Sequence, residues 1–317
     1  MKNSSLCFAI SVAILYATAS PVFGQGAPIT SPQSVQSYTQ PSKGNVSIVF
    51  LGTGMPRPDP TRQGPSLAVV ANGQAYIVDA GTGVVRQATA AYLHGVSALQ
   101  PNRLDIAFLT HLHSDHTLGL PDLILTPWVM RRNVPLRLYG PVGTKAMVKG
   151  IQAAYAEDID LRIHGLEHNP PTGQEVIVHE IHPGVIYQDE NVKVTAFAVK
   201  HGSWKEALGY RFDADGKSIV VSGDTRPTES VIQACNGCDV LIHEAYINAL
   251  GGQEYFSSFH TSAEQLGKIA AKANPKLLIV THFMGGPRPD PAELIQEIHK
   301  NFKGPVDVAN DLDVIEP

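Results

Sequence analysis

The sequence predicts an α/β protein, and three observations carry that prediction. From about residue 45 onward, short apolar runs of strand length alternate with longer stretches of helical spacing. Four of those runs end in histidine or aspartate, at His111 and His113, His201, Asp224 and His282. Strands that deliver polar side chains at one end of a sheet build a site on a rigid scaffold, whereas core histidines would scatter. The third observation is size and balance: 317 residues, 43% hydrophobic and 17% charged, suffice to bury a large core.

Residues 1–24 read as a secretory signal peptide. Lys2 supplies the positive start, Leu6–Ala19 is an apolar core too short to span a bilayer comfortably, and small residues follow. The expected location is therefore periplasmic or secreted, with an uncleaved anchor as the alternative. Residues 25–44 read as a flexible lead-in, and residues 45–317 as the folded domain. Val46–Leu51 is β-rich and is broken by Gly52-Thr53-Gly54, a turn more than a phosphate loop. Three prolines between Met55 and Arg62 exclude a helix there. Arg57 and Arg62 on that loop are expected to face solvent, with contact to an anionic substrate as their other use. Ser66–Val70 and Ala75–Val78 pair as a hairpin across Asn72-Gly73. Asp79 closes the second strand, where it either caps the helix Val84–His94 or braces the loop that follows Leu109.

That loop is the densest chemistry in the chain. Leu104–Leu109 reads as a buried strand, and within six residues after Thr110 come His111, His113, Asp115 and His116. Imidazoles and a carboxylate at this density suit zinc or a similar divalent ion. Helices are expected over Leu118–Met130 and Lys145–Ile159, on either side of a strand at Leu136–Tyr139. The acidic run Glu157–Asp160 reads as a solvated face. Residues 55–65 and 160–190 read as loops, and His164, His168, His179 and His182 are spaced too loosely for ligands. Val192–Val199 delivers His201. Leu208–Phe212 and Ser218–Val221 flank a turn and deliver Asp224. Val240–Ile242 leads into His243-Glu244. A helix at Ser262–Lys272 follows His260, Leu277–Val280 ends at Thr281-His282-Phe283, and Pro291–Phe302 makes the last helix. Cys235 and Cys238 read as a small disulfide or as two spectator thiols. A net charge of −5, one unit more negative without the leader, favours a small anionic ester over nucleic acid as partner.

The His-x-His-x-Asp-His loop resembles the metal loop of the metallo-β-lactamase superfamily. Leu51-Gly-Thr-Gly54, Leu208-Gly-Tyr-Arg211, Ser222-Gly-Asp-Thr-Arg-Pro227, His243-Glu-Ala-Tyr246, Phe259-His-Thr-Ser262 and Thr281-His-Phe283 are similar to ribonuclease Z and its relatives, the alkyl and aryl sulfatases included. The resemblance implies an αββα sandwich of two packed mixed sheets with a dinuclear metal site at one edge. It implies one ion on His111, His113 and His201, a second on Asp115, His116 and His282, and Asp224 between them. Two zinc ions are the implied cofactor, and manganese or iron suits the same donors. A metal-bridging hydroxide would be the nucleophile, with Asp115, His260 and Glu244 as catalytic residues: His260 protonates the leaving oxygen and Glu244 orients it. A homodimer is implied by analogy alone.

One departure stands out. Ribonuclease Z generally carries a long tRNA-gripping arm between its Gly-Tyr-Arg and Gly-Asp-Thr segments, and here only Phe212–Ser222 lies between them. With the leader and the acidic charge, this leads to the expectation of a secreted or periplasmic dinuclear-zinc hydrolase of phosphate or sulfate esters, phosphodiesterase- or arylsulfatase-like. The alternatives are tRNA 3′ processing and lactonase- or β-lactamase-type hydrolysis. A non-catalytic metal-binding protein is the reading from a different class.

Overall fold

Two seven-stranded sheets lie face to face, with helices on both outer sides. The computed structural model describes residues 45–247, 253–285 and 290–317; the expected leader and lead-in, residues 1–44, lie outside the described residues. The first half of the domain runs β1 (Val46–Gly52), β2 (Ser66–Ala71), β3 (Gln74–Val78), α1 (Val84–Leu93), β4 (Ile106–Phe108), α2 (Ser114–Thr117), α3 (Leu120–Val129), β5 (Leu136–Gly140), α4 (Thr144–Ala154), α5 (Ala156–His164) and β6 (Val176–Glu180). The second half runs β7 (Gly184–Gln188), β8 (Lys193–Val199), β9 (Ala207–Ala214), β10 (Lys217–Val221), α6 (Glu229–Cys235), β11 (Val240–Tyr246), α7 (Gln253–Phe259), α8 (Ala263–Ala273), β12 (Leu277–Met284), α9 (Pro291–His299) and β13 (Val306–Val308). A final strand, β14 (Val314–Ile315), crosses back to pair with β1.

The sheet orders are β14-β1-β2-β3-β4-β5-β6 and β13-β12-β11-β10-β9-β8-β7. Each sheet is half antiparallel meander and half parallel: β3 to β6 run parallel, and so do β10 to β13. Parallel strands put their C-terminal ends on one edge, which is where α/β sheets gather their ligands. The continuous apolar runs of the sequence follow from burial on both faces. Ile48, Phe50, Val69, Ile106 and Phe108 point between the sheets, against Tyr210, Phe212, Ile219 and Ile242. Their neighbours Val49, Leu51, Ala68, Val70, Ala107 and Leu109 point outward, beneath Val84 and Ala88 of α1 and Leu123 and Ile124 of α3. On the other sheet Leu241, Leu278 and Val280 lie beneath Leu266 and Ile269 of α8 and Leu294 and Ile298 of α9. The αββα sandwich is therefore present.

The hairpin at Asn72-Gly73 forms as expected, with both residues at positive φ (49° and 77°), the geometry that matches strand twist. The β9–β10 connection is equally tight, Asp215 and Gly216 having φ of 47° and 72°, so no arm extends from it. Cys235 and Cys238 are joined in a disulfide.

Several elements differ from expectation. The helix expected over Lys145–Ile159 is two, α4 and α5, because Tyr155 leaves helical geometry at φ −107° and ψ 16°. Residues 160–190 are not a plain loop: β6 and β7 are the outer strands of their sheets, half-buried on one face, which weakens their apolar signature. The last apolar strand also runs on past His282 to Met284. Arg62 does not face solvent. Its guanidinium donates to Thr53 Oγ1 at 2.6 Å, Ala309 O at 3.0 Å and Asn310 Oδ1 at 2.9 Å, tying the proline loop to the C-terminal segment.

Arg132 has a comparable role that its sequence position conceals. Pro127 sits inside α3 without an N–H, which leaves the Leu123 carbonyl without its usual helical donor. Arg132, 1% exposed, fills that gap: its two terminal nitrogens donate to the carbonyls of Leu123, Ile124, Leu104 and Gly173 at 2.7–3.1 Å. Burial pulls its pKa down to about 10, with Asp105 opposing, so it stays charged at neutral pH. Replacing Arg132 with Met strands those carbonyls in the core. The expected cost is about 3 kcal/mol or more of unfolding free energy, read from urea denaturation.

Candidate metal centre

Four strand ends and one loop bring the ligand-type side chains together. β3 leads to Asp79, β4 runs into the loop carrying His111 to His116, β8 leads to His201, β10 leads to Asp224, and β12 carries His282. His111, His113 and His201 converge so that His113 Nδ1 lies 3.0 Å from the Nε2 atoms of both partners. Asp115, His116 and His282 form a second group, with Asp115 Oδ2 3.5 Å from His116 Nε2 and 3.3 Å from His282 Nε2. Asp224 Oδ2 lies between them, 3.5 Å from His116 Nε2, 3.5 Å from His282 Nε2 and 3.9 Å from His201 Nε2. Each of these triads is tight enough to hold a cation.

The backs of the rings decide which nitrogen faces inward. Asp79 Oδ2 takes the His116 Nδ1 proton at 2.8 Å, leaving Nε2 buried with no hydrogen-bond partner and aimed at the cluster. Asp79 also accepts from Thr110 N at 2.8 Å and from Thr110 Oγ1 at 2.9 Å. Thr110 Oγ1, its proton so committed, accepts from His111 Nδ1 at 3.0 Å. His201 Nδ1 donates to the Phe259 carbonyl at 3.0 Å. Neutral rings fixed in these tautomers present lone pairs to the centre, the state a metal requires. Of the two uses expected of Asp79, bracing is the one present; the N-cap of α1 is Gly83, with no side-chain cap.

Backbone geometry aims two of the residues. β11 and β12 slip register at Glu244, so His282 is the extra residue of a bulge and has φ of 47°. Asp79 is also left-handed, at φ 59°. Such conformations cost about 1 kcal/mol or more for non-glycine residues and gather where a site needs a side chain re-aimed. Gly223, at φ 61°, lets the chain pass close to the Leu208 carbonyl and Thr110, 2.8 and 2.9 Å from where a Cβ would be, before Asp224 turns in.

The electrostatics call for positive charge. Burial raises the Asp224 carboxyl, but His282 and His116 outweigh it and hold Asp224 well below the usual range. Burial likewise opposes a charge on His116, yet Asp224 and Asp79 raise it well above an ordinary imidazole. Burial holds His111 neutral. A buried cluster that sets the Asp115 and Asp224 carboxylates among imidazoles, with the His116 Nε2 left without a hydrogen-bond partner, fits a divalent cation, and its nitrogen and oxygen donors are those of zinc and related ions.

His260 and Glu244 sit beside this cluster. Glu244 is 1% exposed, with Oε1 accepting from Thr225 N and Thr261 N at 3.2 and 3.0 Å and lying 3.3 Å from His260 Nδ1. Burial depresses the His260 imidazolium, but the Glu244 carboxylate more than offsets it, so its pKa rises above the ordinary value. His260 also comes within ligand range of His201 and Asp224, beside the cluster where the resemblance puts it. His164, His168, His179 and His182 join none of these groups among the described residues. One site neighbour went unread: Trp204, whose indole Nε1 donates to His113 Nε2 at 2.8 Å. A lone tryptophan three residues after His201 carries no spacing signal that could have found it. Asp79→Ala should leave His116 and Thr110 unbraced and weaken metal affinity about 10- to 100-fold, measured by chelator competition.

Comparison with known proteins places this geometry. The family model described as beta-lactamase superfamily domain matches residues 74–283. Ribonuclease Z of Mycobacterium bovis (strain BCG / Pasteur 1173P2) is 34% identical over 283 residues, spanning 86% of this chain and 98% of the relative. Among solved structures, the metallo-beta-lactamase fold protein YhfI from Bacillus subtilis superposes with a TM-score of 0.67 at 19% identity, over 86% of this chain and 100% of that one. Human tRNase Z, short form, gives 0.65 at 24% identity, over 85% and 98%. These findings overturn the expectation of a small anionic ester in place of nucleic acid. Relatives whose name states an RNA substrate match over nearly their full length, and overall charge is a poor guide because phosphate binding depends on local contacts. The strand-end histidines and aspartates, the αββα sandwich and these matches agree: the chain belongs to the beta-lactamase superfamily and is a homologue of the ribonuclease Z proteins.

Proposed function

We propose that the chain is a metal-dependent phosphodiesterase that cuts RNA, with the 3′ ends of precursor tRNA as its substrate class. The observation that carries the reading is the position of Asp224 Oδ2, 3.5 Å from His116 and His282 and 3.9 Å from His201, between two ligand groups. The relationship to ribonuclease Z supports the choice of RNA.

In this reading His111, His113 and His201 would hold one zinc ion and Asp115, His116 and His282 the other, with Asp224 available to both; manganese or iron suits the same donors. Two bound cations supply an acidified water and neutralise charge on a phosphoryl group. Asp79, Thr110 and Phe259 keep the imidazoles oriented. Thr225 N and Thr261 N hold the Glu244 carboxylate, and Glu244 in turn lies 3.3 Å from His260 Nδ1 and favours its protonated form. His260 then gives its proton to the leaving oxygen, a role worth about 10²–10⁴ in rate. Export through the leader is a separate proposal that competes with this one, because the tRNA reading requires the leader to go unused. The Cys235–Cys238 disulfide supports export, and N-terminal sequencing of the mature protein tests it.

The test uses the metal-loaded full chain with a precursor tRNA bearing a 3′ trailer, bis-p-nitrophenyl phosphate and p-nitrophenyl sulfate. Cleavage of the RNA and the diester is expected, both lost on chelation and in a folded Asp224→Ala variant. Diester hydrolysis without RNA cleavage would overturn the RNA assignment. Turnover of the sulfate alone would overturn the phosphodiesterase. His260→Ala should lower kcat about 10²–10⁴-fold. Glu244→Gln withdraws the charge that raises His260, so the alkaline limb of the kcat–pH profile should move to lower pH.

A further inference from the structure

We infer that Trp204 and the cleft beside it form a subsite for the nucleobase adjoining the scissile phosphate, an inference that rests on the phosphodiesterase reading above. Two loops at the ligand edge make the cleft: Pro141 and Val142, just after β5, and Ser203 to Glu206, after β8, around a cavity of about 350 Å³. Glu206 ties the two walls together. Its Oε2 accepts from Val142 N at 3.1 Å, and its Oε1 lies 3.1 Å from His182 Nδ1.

Trp204 is fastened to the metal cluster at two points. Its backbone N–H donates to the His201 carbonyl at 3.1 Å, and its indole N–H donates to His113 Nε2 at 2.8 Å. The indole stands edge-on to the His113 ring, 76° between planes and 5.1 Å between centroids. Despite these anchors Trp204 is 37% exposed and Val142 is 58% exposed. The fold spends an oriented aromatic on the rim of its site without burying it, the arrangement of an aromatic platform awaiting a planar partner.

The lining selects among partners. Proline, valine and an indole accept a flat ring, and the exposed Lys205, which forms no ion pair among the described residues, supplies a cation for a flanking phosphate. A nucleotide carries both a flat ring and a phosphate. Contact with His113 puts the ring on the nucleotide next to the bond being cut, not on a remote one.

Two measurements test this. Adenosine 5′-monophosphate should quench the intrinsic fluorescence of the wild-type protein saturably and leave that of Trp204→Phe unchanged, because the other tryptophan, Trp128, is fully buried. Second, kcat/KM is compared between thymidine 5′-(p-nitrophenyl phosphate) and methyl p-nitrophenyl phosphate, which lacks a base. Trp204→Ala should lower the ratio of the two about 10-fold, mainly through KM, and Trp204→Phe should largely restore it. Absent quenching, or an unchanged ratio in Trp204→Ala, overturns the subsite. An equal loss in Trp204→Phe assigns the effect to the bond with His113 and also overturns stacking. Quenching by the nucleotide in a protein that hydrolyses no diester would leave the subsite standing and remove the phosphodiesterase.

Discussion

One carboxylate, Asp79, holds the metal loop in the shape that the rest of the site depends on. It accepts from the Thr110 backbone, the Thr110 hydroxyl and His116 Nδ1, all within 2.8–2.9 Å at their shortest. Through Thr110 it also settles the tautomer of His111. A side chain just past the strand next to the loop thus fixes two candidate ligands, His111 and His116, from different histidine groups, and it does so while buried, where an unmet acceptor is costly. The left-handed backbone of Asp79 is what lets it turn back onto the loop.

The sandwich makes such precision affordable because the loops around the site hang from strands buried on both faces. Ile106 and Phe108 face the opposite sheet while Ala107 and Leu109 face α1 and α3, so β4 has little freedom to slide. The bulge at His282 places backbone strain near the end of β12, and Gly223 makes the left-handed turn after β10 without it, so both ends hold their side chains in register. Arg132 and Arg62 do the corresponding work farther away. Each satisfies carbonyls that a proline or an irregular segment leaves exposed, and each closes a loop against the core.

Much of this was legible in the chain because the signals are local. The His-x-His-x-Asp-His spacing and the apolar runs ending in ligands require no tertiary knowledge, and together they pointed to the site residues and, through resemblance, to the sandwich. What escaped was set by tertiary context. Asp79 could not be assigned between cap and brace until Thr110 was seen above it. Arg62 reads as a surface residue until the C-terminal segment folds back onto it. The break at Tyr155 and the half-buried strands β6 and β7 have no strong periodicity, since one face of each meets water. Trp204 is invisible in sequence because its partner, His113, lies on a different strand end.

The misjudged substrate has a physical origin too. Net charge averages over the whole surface, whereas a scissile phosphate meets only the groups within a few ångströms, and beyond about 8–10 Å at physiological salt other charges are screened. At the centre of this edge the Asp115 and Asp224 carboxylates lie within 3.9 Å of the His116, His201 and His282 imidazoles, an arrangement that net charge does not describe. The tight Asp215-Gly216 turn carries no arm, so under the proposed RNA-cleaving reading the rim of the site itself would have to discriminate. An oriented indole bonded to His113, with Lys205 beside it, is chemistry suited to that task, and in the proposed subsite it would add affinity where the bond is broken rather than at a distant grip.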